Sequence, residues 1–403
     1  MLSDKLNRFS REIHNQPDAV NSRSGTNRYR HAAEFFGGEL VSSDGGVFVR
    51  IVTDLPSLFS HGDYRLAEVL EYYPLIGGGR ILNCGDNSLD LSRLLFFDME
   101  TTGLSGGSGT VPFLIGFGSV SESGFQVRQY LLPDYPDEAA MLETVRREIT
   151  EDSILVSYNG RAFDLPILSD RLVLHRIERN LQFAGHIDLL HPVRRLYKRR
   201  LRDCSLGNIE REVLRYFRFD DIPGYLVPSV YFNWLANGEM EELRRVNKHN
   251  LDDIVSMLFI MHHVARLAEN PSGQIQSSDD LYSFCRILEQ SGDWEGLYNL
   301  MEASCEMLEQ ENRFDILFSH ALSYKRGAEV EKAHTLWLKI AQTGAPEAYP
   351  ARLELAKYYE HRLKDFAVAL KFTLEARSEC PQNPRHREAI EKRINRLHRK
   401  LCG

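Results

Sequence analysis

The sequence predicts a mixed α/β domain, with helices covering a central sheet, followed by an all-α domain of helical repeats. Two observations predict it. Between residues 94 and 268, short apolar runs of strand length alternate with amphipathic helical patterns. Beyond the Pro/Gly/Ser stretch NPSGQIQSSDD, the chain reads as helix after helix. With 403 residues, 43% of them hydrophobic, the chain is long enough for two or three cores.

Four segments follow in order. Residues 1–93 form an N-terminal extension and a small β-rich accessory segment. Residues 1–35 are polar and are expected to be mobile or loosely docked. GELVSSDGGVFVRIV then reads as two strands around a DGG turn. Residues 94–268 form the α/β domain. LLFFD, VPFLIGFGSV and FQVRQYLL are strands joined by short connections, hence an antiparallel meander. A helix over DEAAMLETVRREIT, a strand ILVSY and a helix over DLPILSDRLVLH come next. A last helix begins near Asn250, which on the plainer reading is its cap. Residues 269–280 are a linker, and residues 281–403 are the helical domain. Within it, Ala333 and Ala369 lie 36 positions apart, with Tyr324 and Tyr358 ahead of them. That spacing is near the tetratricopeptide period, with a short insertion at EHR in the second copy, and offers a groove for a protein partner.

The net charge of −8 carries no whole-chain basic footprint. The six cysteines form no CxxC pair, so zinc knuckles and dithiol redox chemistry are not indicated. The N-terminus lacks an apolar signal core, and no run approaches a membrane span. A soluble, cytoplasmic protein with no membrane contact is expected.

The chemistry starts at Asp98 and Glu100. Residues i and i+2 of a strand share a face, so both carboxylates project together. Two carboxylates in a partly buried site repel, and one takes a proton unless a cation intervenes. Mg²⁺ and Mn²⁺ prefer such hard oxygen donors. Solvated strand-end acids are the plainer alternative. Asp164 opens a helix after the turn containing Asn159 and Gly160, where it suits the positive helix end. His249 and Asp253 share a face if the helix already runs through His249.

Three blocks in this order resemble the DnaQ-like (DEDD) 3′–5′ exonucleases of the ribonuclease H-like fold: DMETTGL, NGRAFD and HNLDD. ETTGLSGGSGTVPFLIG, DIPGYLVPSVYFNWL and HNLDDIVSM are similar to bacterial YprB-like proteins, which join such a domain to tetratricopeptide-like repeats. The resemblance implies that Asp98, Glu100, Asp164 and Asp253 hold two Mg²⁺ or Mn²⁺ ions. His249 would orient or deprotonate the attacking water, its ordinary pKa near 6.5 suiting a base at neutral pH. The spacing from His249 to Asp253 is that of members with tyrosine at the first position. Asp252 competes for the fourth acid, and the motif spacing favours Asp253. Thr101, Thr102, Gly103 and Leu104 would form a turn beside the terminal nucleotide. Leu104 would wedge against its base, and SGGSG would form an open loop at the rim. Asn159 would stand in the same nucleotide-binding block. Asp188 reads as a supporting or structural acid.

Arg194, Lys198 and Arg202 share one face if VRRLYKRRLRDC is helical, and form the candidate phosphate-binding strip. Tyr197 reads as a packing residue rather than a base-stacking one. The expected function is a divalent-metal-dependent 3′–5′ exonuclease that hydrolyses phosphodiester bonds at single-stranded DNA or RNA ends. The alternative is an interaction scaffold acting through its repeats, with the nuclease-like domain as a nucleic-acid-binding platform.

Overall fold

A computed structural model describes residues 22–82, 88–103, 109–177, 181–275, 277–380 and 383–402. The chain divides into two compact units, residues 1–192 with 205–265, and residues 193–204 with 266–403.

The first unit is built on a seven-stranded sheet. Its strands are β1 (Glu39–Ser43), β2 (Gly46–Pro56), β3 (Leu94–Thr101), β4 (Pro112–Ser121), β5 (Gly124–Leu131), β6 (Ile154–Ser157) and β7 (Gly185–Asp188). They lie in the order β1-β2-β5-β4-β3-β6-β7. β3, β4 and β5 form the expected antiparallel meander. β6 and β7 add on parallel. The DGG hairpin forms as expected and extends the same sheet, with β2 pairing antiparallel to β5. β3 and β4 are buried on both faces, which explains their unbroken apolar runs.

Helices cover the sheet: α1 (Ser22–Phe36), α2 (Glu138–Glu148), α3 (Asp164–Leu174), α5 (Val227–Asn237) and α6 (Glu241–Glu269), whereas α4 (Leu190–Tyr197) belongs to the second unit from Val193 onward. Two expectations are corrected. Residues 22–35 are not loosely docked: α1 buries Ala32 and Ala33, and Arg28 donates to the carbonyl of Leu235 at 3.0 Å. Residues 1–21 lie outside the described residues. The last helix begins at Glu241 rather than near Asn250, so Asn250 is an interior residue and not a cap. No described helix is long and apolar enough to cross a membrane.

The second unit is helical: α7 (Ser278–Ser291), α8 (Trp294–Gln310), α9 (Phe314–Arg326), α10 (Val330–Ala341), α11 (Ala348–Tyr358), α12 (Phe366–Ser378) and α13 (Pro384–Cys402). Each packs against the next. Ala333 and Ala369 are fully buried, and Tyr324 and Tyr358 are buried ahead of them. The residues EHR fall in a π-helical turn, Tyr359–Leu363, which closes on Lys364 in the left-handed conformation.

Candidate active site

The site lies where the parallel strands end. Asp98 and Glu100 project from one face of β3, while Phe97 and Met99 enter the core on the other. β6 leads into a turn with Asn159 at φ 68°, a conformation that asparagine tolerates. A Cβ added at Gly160 would lie 2.6 Å from the Ser157 side chain and 2.9 Å from Asp164 Oδ2, so the turn needs glycine to pass this closely. Asp188, at the end of β7, clamps the turn. It accepts from the backbone N–H of Asn159 at 2.8 Å and of Arg161 at 3.1 Å. That is the supporting role read from the sequence. Asp164 opens α3 and is 6% exposed; the cap position falls on Phe163.

The third side of the site comes from α6. Asp98 stands opposite Gly116 of β4, and Gly116 opposite Gln129 of β5. A Cβ at Gly116 would meet Ile254 Cδ1 at 2.3 Å and Asn250 Oδ1 at 2.4 Å. The missing side chain lets α6 lie close against the sheet. Asn250 uses that proximity: its amide donates to Asp98 Oδ2 at 2.8 Å and accepts from Gln129 Nε2 at 2.8 Å. His249 and Asp253, four apart on the same helix, share a face, with Nε2 3.8 Å from Asp253 Oδ2. Asp253, not Asp252, is the acid whose charge acts on Asp98, Glu100 and Asp164. Asp252 is held by Lys248 at 2.5 Å.

Glu210, Arg218 and Asp221 carried no readable signal in the sequence, and Asn250 reads there only as a helix cap. Arg218 is 7% exposed and grips Glu210 at two points, Nε–Oε2 and Nη2–Oε1, both 2.6 Å. The same guanidinium pairs with Asp253. His249 Nδ1 lies 2.6 Å from Asp221 Oδ1 and 3.0 Å from Arg218 Nη1. Nδ1 cannot both donate to the carboxylate and accept from the guanidinium. The shorter contact and the surrounding acids make it the donor to Asp221.

The electrostatics follow from this crowding. Burial, then the charges of Asp253 and Asp164, hold the Asp98 carboxyl well above the ordinary range. Burial, then Asp98, push Glu100 up to about 8. Burial, then Glu100 and Asp188, push Asp164 up to about 8. For His249, burial favours the neutral ring. Asp253, the bond to Asp221 and Glu100 outweigh that and raise it to about 10. The expectation of a histidine near 6.5 is corrected by these neighbours. The acids are hard oxygen donors that repel one another, a set that suits Mg²⁺ or Mn²⁺. Among the described residues no three side chains are grouped as a ready-made metal cage, and Asp253 is engaged by Arg218.

The remaining expected residues divide. Thr101 Oγ1 donates to the Gly103 carbonyl at 2.7 Å, and Thr102 Oγ1 accepts from the Val111 N–H at 3.0 Å, so both hydroxyls shape the turn. Leu104 and most of the SGGSG loop lie outside the described residues. Arg194, Lys198 and Arg202 belong by packing to the second unit. They do not share one helix face, because α4 ends at Tyr197 and Arg202 follows its last turn. Two of the cations between them are paired: Arg199 with Asp279 at 2.8 Å and Asp315 at 2.6 Å, and Arg200 with Asp280 at 2.7 Å. Tyr197 is buried, as expected of a packing residue.

Residues 95–265 match the RNase_H superfamily. Over 360 residues the chain is 34% identical to the uncharacterized protein YprB of Bacillus subtilis (strain 168), covering 87% of this chain and 85% of that protein. Among solved structures, it is similar to the family B DNA polymerase of the hyperthermophilic archaeon Pyrobaculum calidifontis. The TM-score is 0.35 and the identity 13%, over 76% of this chain and 46% of the polymerase chain. An overlap that loose carries no functional argument.

Proposed function

The chain belongs to the YprB family and carries an RNase_H superfamily domain, and from that premise we propose that it is a divalent-metal-dependent nuclease, a 3′–5′ exonuclease acting on single-stranded DNA or RNA ends. The observation that carries the reading is the convergence of Asp98 and Glu100 on one face of β3 with Asp164 at the start of α3 and Asp253 of α6, crowded enough that the first three are held above the ordinary carboxylate range. Buried like charges weaken a fold, and their concentration at strand ends is what a charge-binding site requires. Held by these four acids, Mg²⁺ or Mn²⁺ would stabilise the attacking and leaving oxygens of an in-line displacement.

The chain's own groups set the geometry. Asn250 fixes the Asp98 carboxylate, and Asp188 fixes the turn that presents Asp164. His249, anchored through Nδ1 to Asp221, keeps Nε2 toward the acids. Once the charges of Asp253 and Glu100 are neutralised, its proton is held less tightly, and Nε2 can orient or deprotonate the attacking water. Phe217 and Phe219, 67% and 88% exposed on either side of Arg218, offer rings on which unpaired bases stack. The helical unit is read as tetratricopeptide-like from its buried Ala333 and Ala369, with the π-turn at Tyr359–Leu363 taking up the short insertion in the second copy.

Side-by-side digestion of single-stranded and duplex DNA and RNA of matched sequence tests the reading. Release of nucleoside monophosphates from the 3′ end of unpaired strands is the expected result. Internal cuts, or no metal-dependent product from any substrate, would remove it.

A further inference from the structure

The second unit holds more positive charge than it neutralises, and the excess is concentrated. A cavity of about 330 Å³ is lined by Lys325, Lys357, Arg362 and Arg393, with Glu354 as its only acidic wall residue. Lys325 and Lys357 share Glu354, at 2.6 and 2.5 Å. Arg393, Arg396 and Lys400 share the fully buried Glu360, at 2.6, 2.8 and 2.9 Å. Five cations on two carboxylates leave three positive charges uncompensated. Trp337 also lines the cavity, and its buried indole N–H has no protein acceptor among the described residues.

The excess continues along α13, which supplies Arg393 to the cavity wall. That helix carries seven Lys and Arg against two Glu, in a chain whose net charge is −8. It seats Ile390, Ile394 and Leu397 inward. Arg385, Arg387 and Arg399 are exposed, and no acidic side chain pairs with them among the described residues. At 1.5 Å per residue the helix is about 28 Å long, enough to follow several consecutive phosphates.

We propose that this face of the helical unit, the cavity together with α13, binds the phosphate backbone of a nucleic acid. The inference rests on the nuclease reading for its choice of anion. Without bound cations a site of clustered acids repels a phosphodiester chain, and within residues 194–202 Arg199 and Arg200 are spent on Asp279, Asp280 and Asp315. The cations assigned to the backbone are those of the cavity and of α13, where Arg385, Arg387 and Arg399 are exposed without an acidic partner among the described residues. Binding here is independent of base sequence, because phosphate contacts carry none.

The test uses the full chain and a fluorescein-labelled single-stranded oligonucleotide in EDTA, with anisotropy read across a salt series. The comparison is the variant Arg362→Gln/Arg385→Gln/Arg387→Gln/Arg399→Gln, with unchanged thermal unfolding as the control for folding. Affinity at low salt is expected to fall at least about tenfold for unrelated sequences alike. The slope of log K against log salt should become shallower by about 1 to 3, at roughly 0.7 per lost contact to a single strand. Unchanged affinity and slope overturn the proposal. So does a polyglutamate peptide that binds more tightly than the oligonucleotide and loses its binding in the variant. If cleavage that depends on Asp98 and Glu100 is the same in the variant at every salt concentration, the face is not a substrate-binding one and the nuclease reading stands. If the variant loses oligonucleotide binding while neither protein cleaves, the face stands and the nuclease reading falls.

Discussion

Asn250 donates to Asp98 Oδ2 at 2.8 Å, joining α6 to β3 across 152 positions of sequence. Its oxygen accepts from Gln129, so the row Asp98, Gly116, Gln129 is spanned by a single fully buried amide. Asn250→Ala removes both bonds and leaves Asp98 without a donor that favours its charged form. A loss of about 1–3 kcal/mol in urea unfolding is expected. A loss under about 0.5 kcal/mol would show that the amide is incidental.

Gly116→Ala tests how closely α6 must lie to the sheet. The added methyl meets Asn250 Oδ1 at 2.4 Å, and that amide is bonded on both sides and cannot turn away. Destabilisation of about 1–3 kcal/mol is expected from overpacking. Cleavage should fall further than the stability loss explains, because His249 and Asp253 move with the helix. Normal cleavage in a folded Gly116→Ala protein would contradict the placement of α6.

Arg218 is the cation on which the buried Glu210 and the half-buried Asp253 both depend. Arg218→Met leaves Glu210, with a side chain 1% exposed, unpaired, and is expected to cost about 3–5 kcal/mol. Adding Glu210→Gln should restore most of that, because the stranded charge is gone. Chemical denaturation of the two singles and the double closes the cycle. Simple additivity would mean that the pair does not interact.

The β3–β5 meander was legible because its apolar runs are unbroken and its connections short. The pairing of Asp98 with Glu100 followed from strand period alone. The start of α6 was not legible. Over Glu241–Lys248 only Leu243 and Val246 are buried, too few to show a helical period, and asparagine favours caps over helix interiors. Asn250 sits inside the helix because Asp98 and Gln129 supply its partners. Arg218 and Asp221 lie in irregular chain, where no period marks which side chains turn inward. The DGG hairpin was visible as a turn, but its pairing with β5 is non-local. The basic run at residues 194–202 could be counted, whereas the acids that pair with Arg199 and Arg200 within it lie 80 to 116 positions away.

The raised groups set the direction of the metal-free pH dependence. Glu100 and Asp164 keep their protons up to about pH 8 in the fold but lose them in the ordinary carboxylate range when unfolded. Their contribution is full below the unfolded pKa and is lost as pH rises through about 8. His249, raised to about 10, acts in the same sense: its contribution is full below 6.5 and is lost through about 10. The melting temperature in EDTA is therefore expected to fall between about pH 5 and about pH 9. Mg²⁺ or Mn²⁺ should raise it more near pH 8.5 than near pH 6, because cation and proton compete for the same oxygens. A metal-free melting temperature that climbs over this interval, or metal stabilisation that is largest in acid, would contradict the arrangement.

The central claim is that Asp98 and Glu100 are half of a catalytic acid cluster. The most direct measurement is release of labelled nucleotide from an end-labelled single strand, with Mn²⁺ or Mg²⁺, by the wild-type chain and by Asp98→Ala/Glu100→Ala at equal folded concentration. The expected result is metal-dependent release by the wild type and a fall in rate of at least about 10³-fold in the variant, roughly 4 kcal/mol of lost transition-state stabilisation. Equal release by both proteins would contradict it.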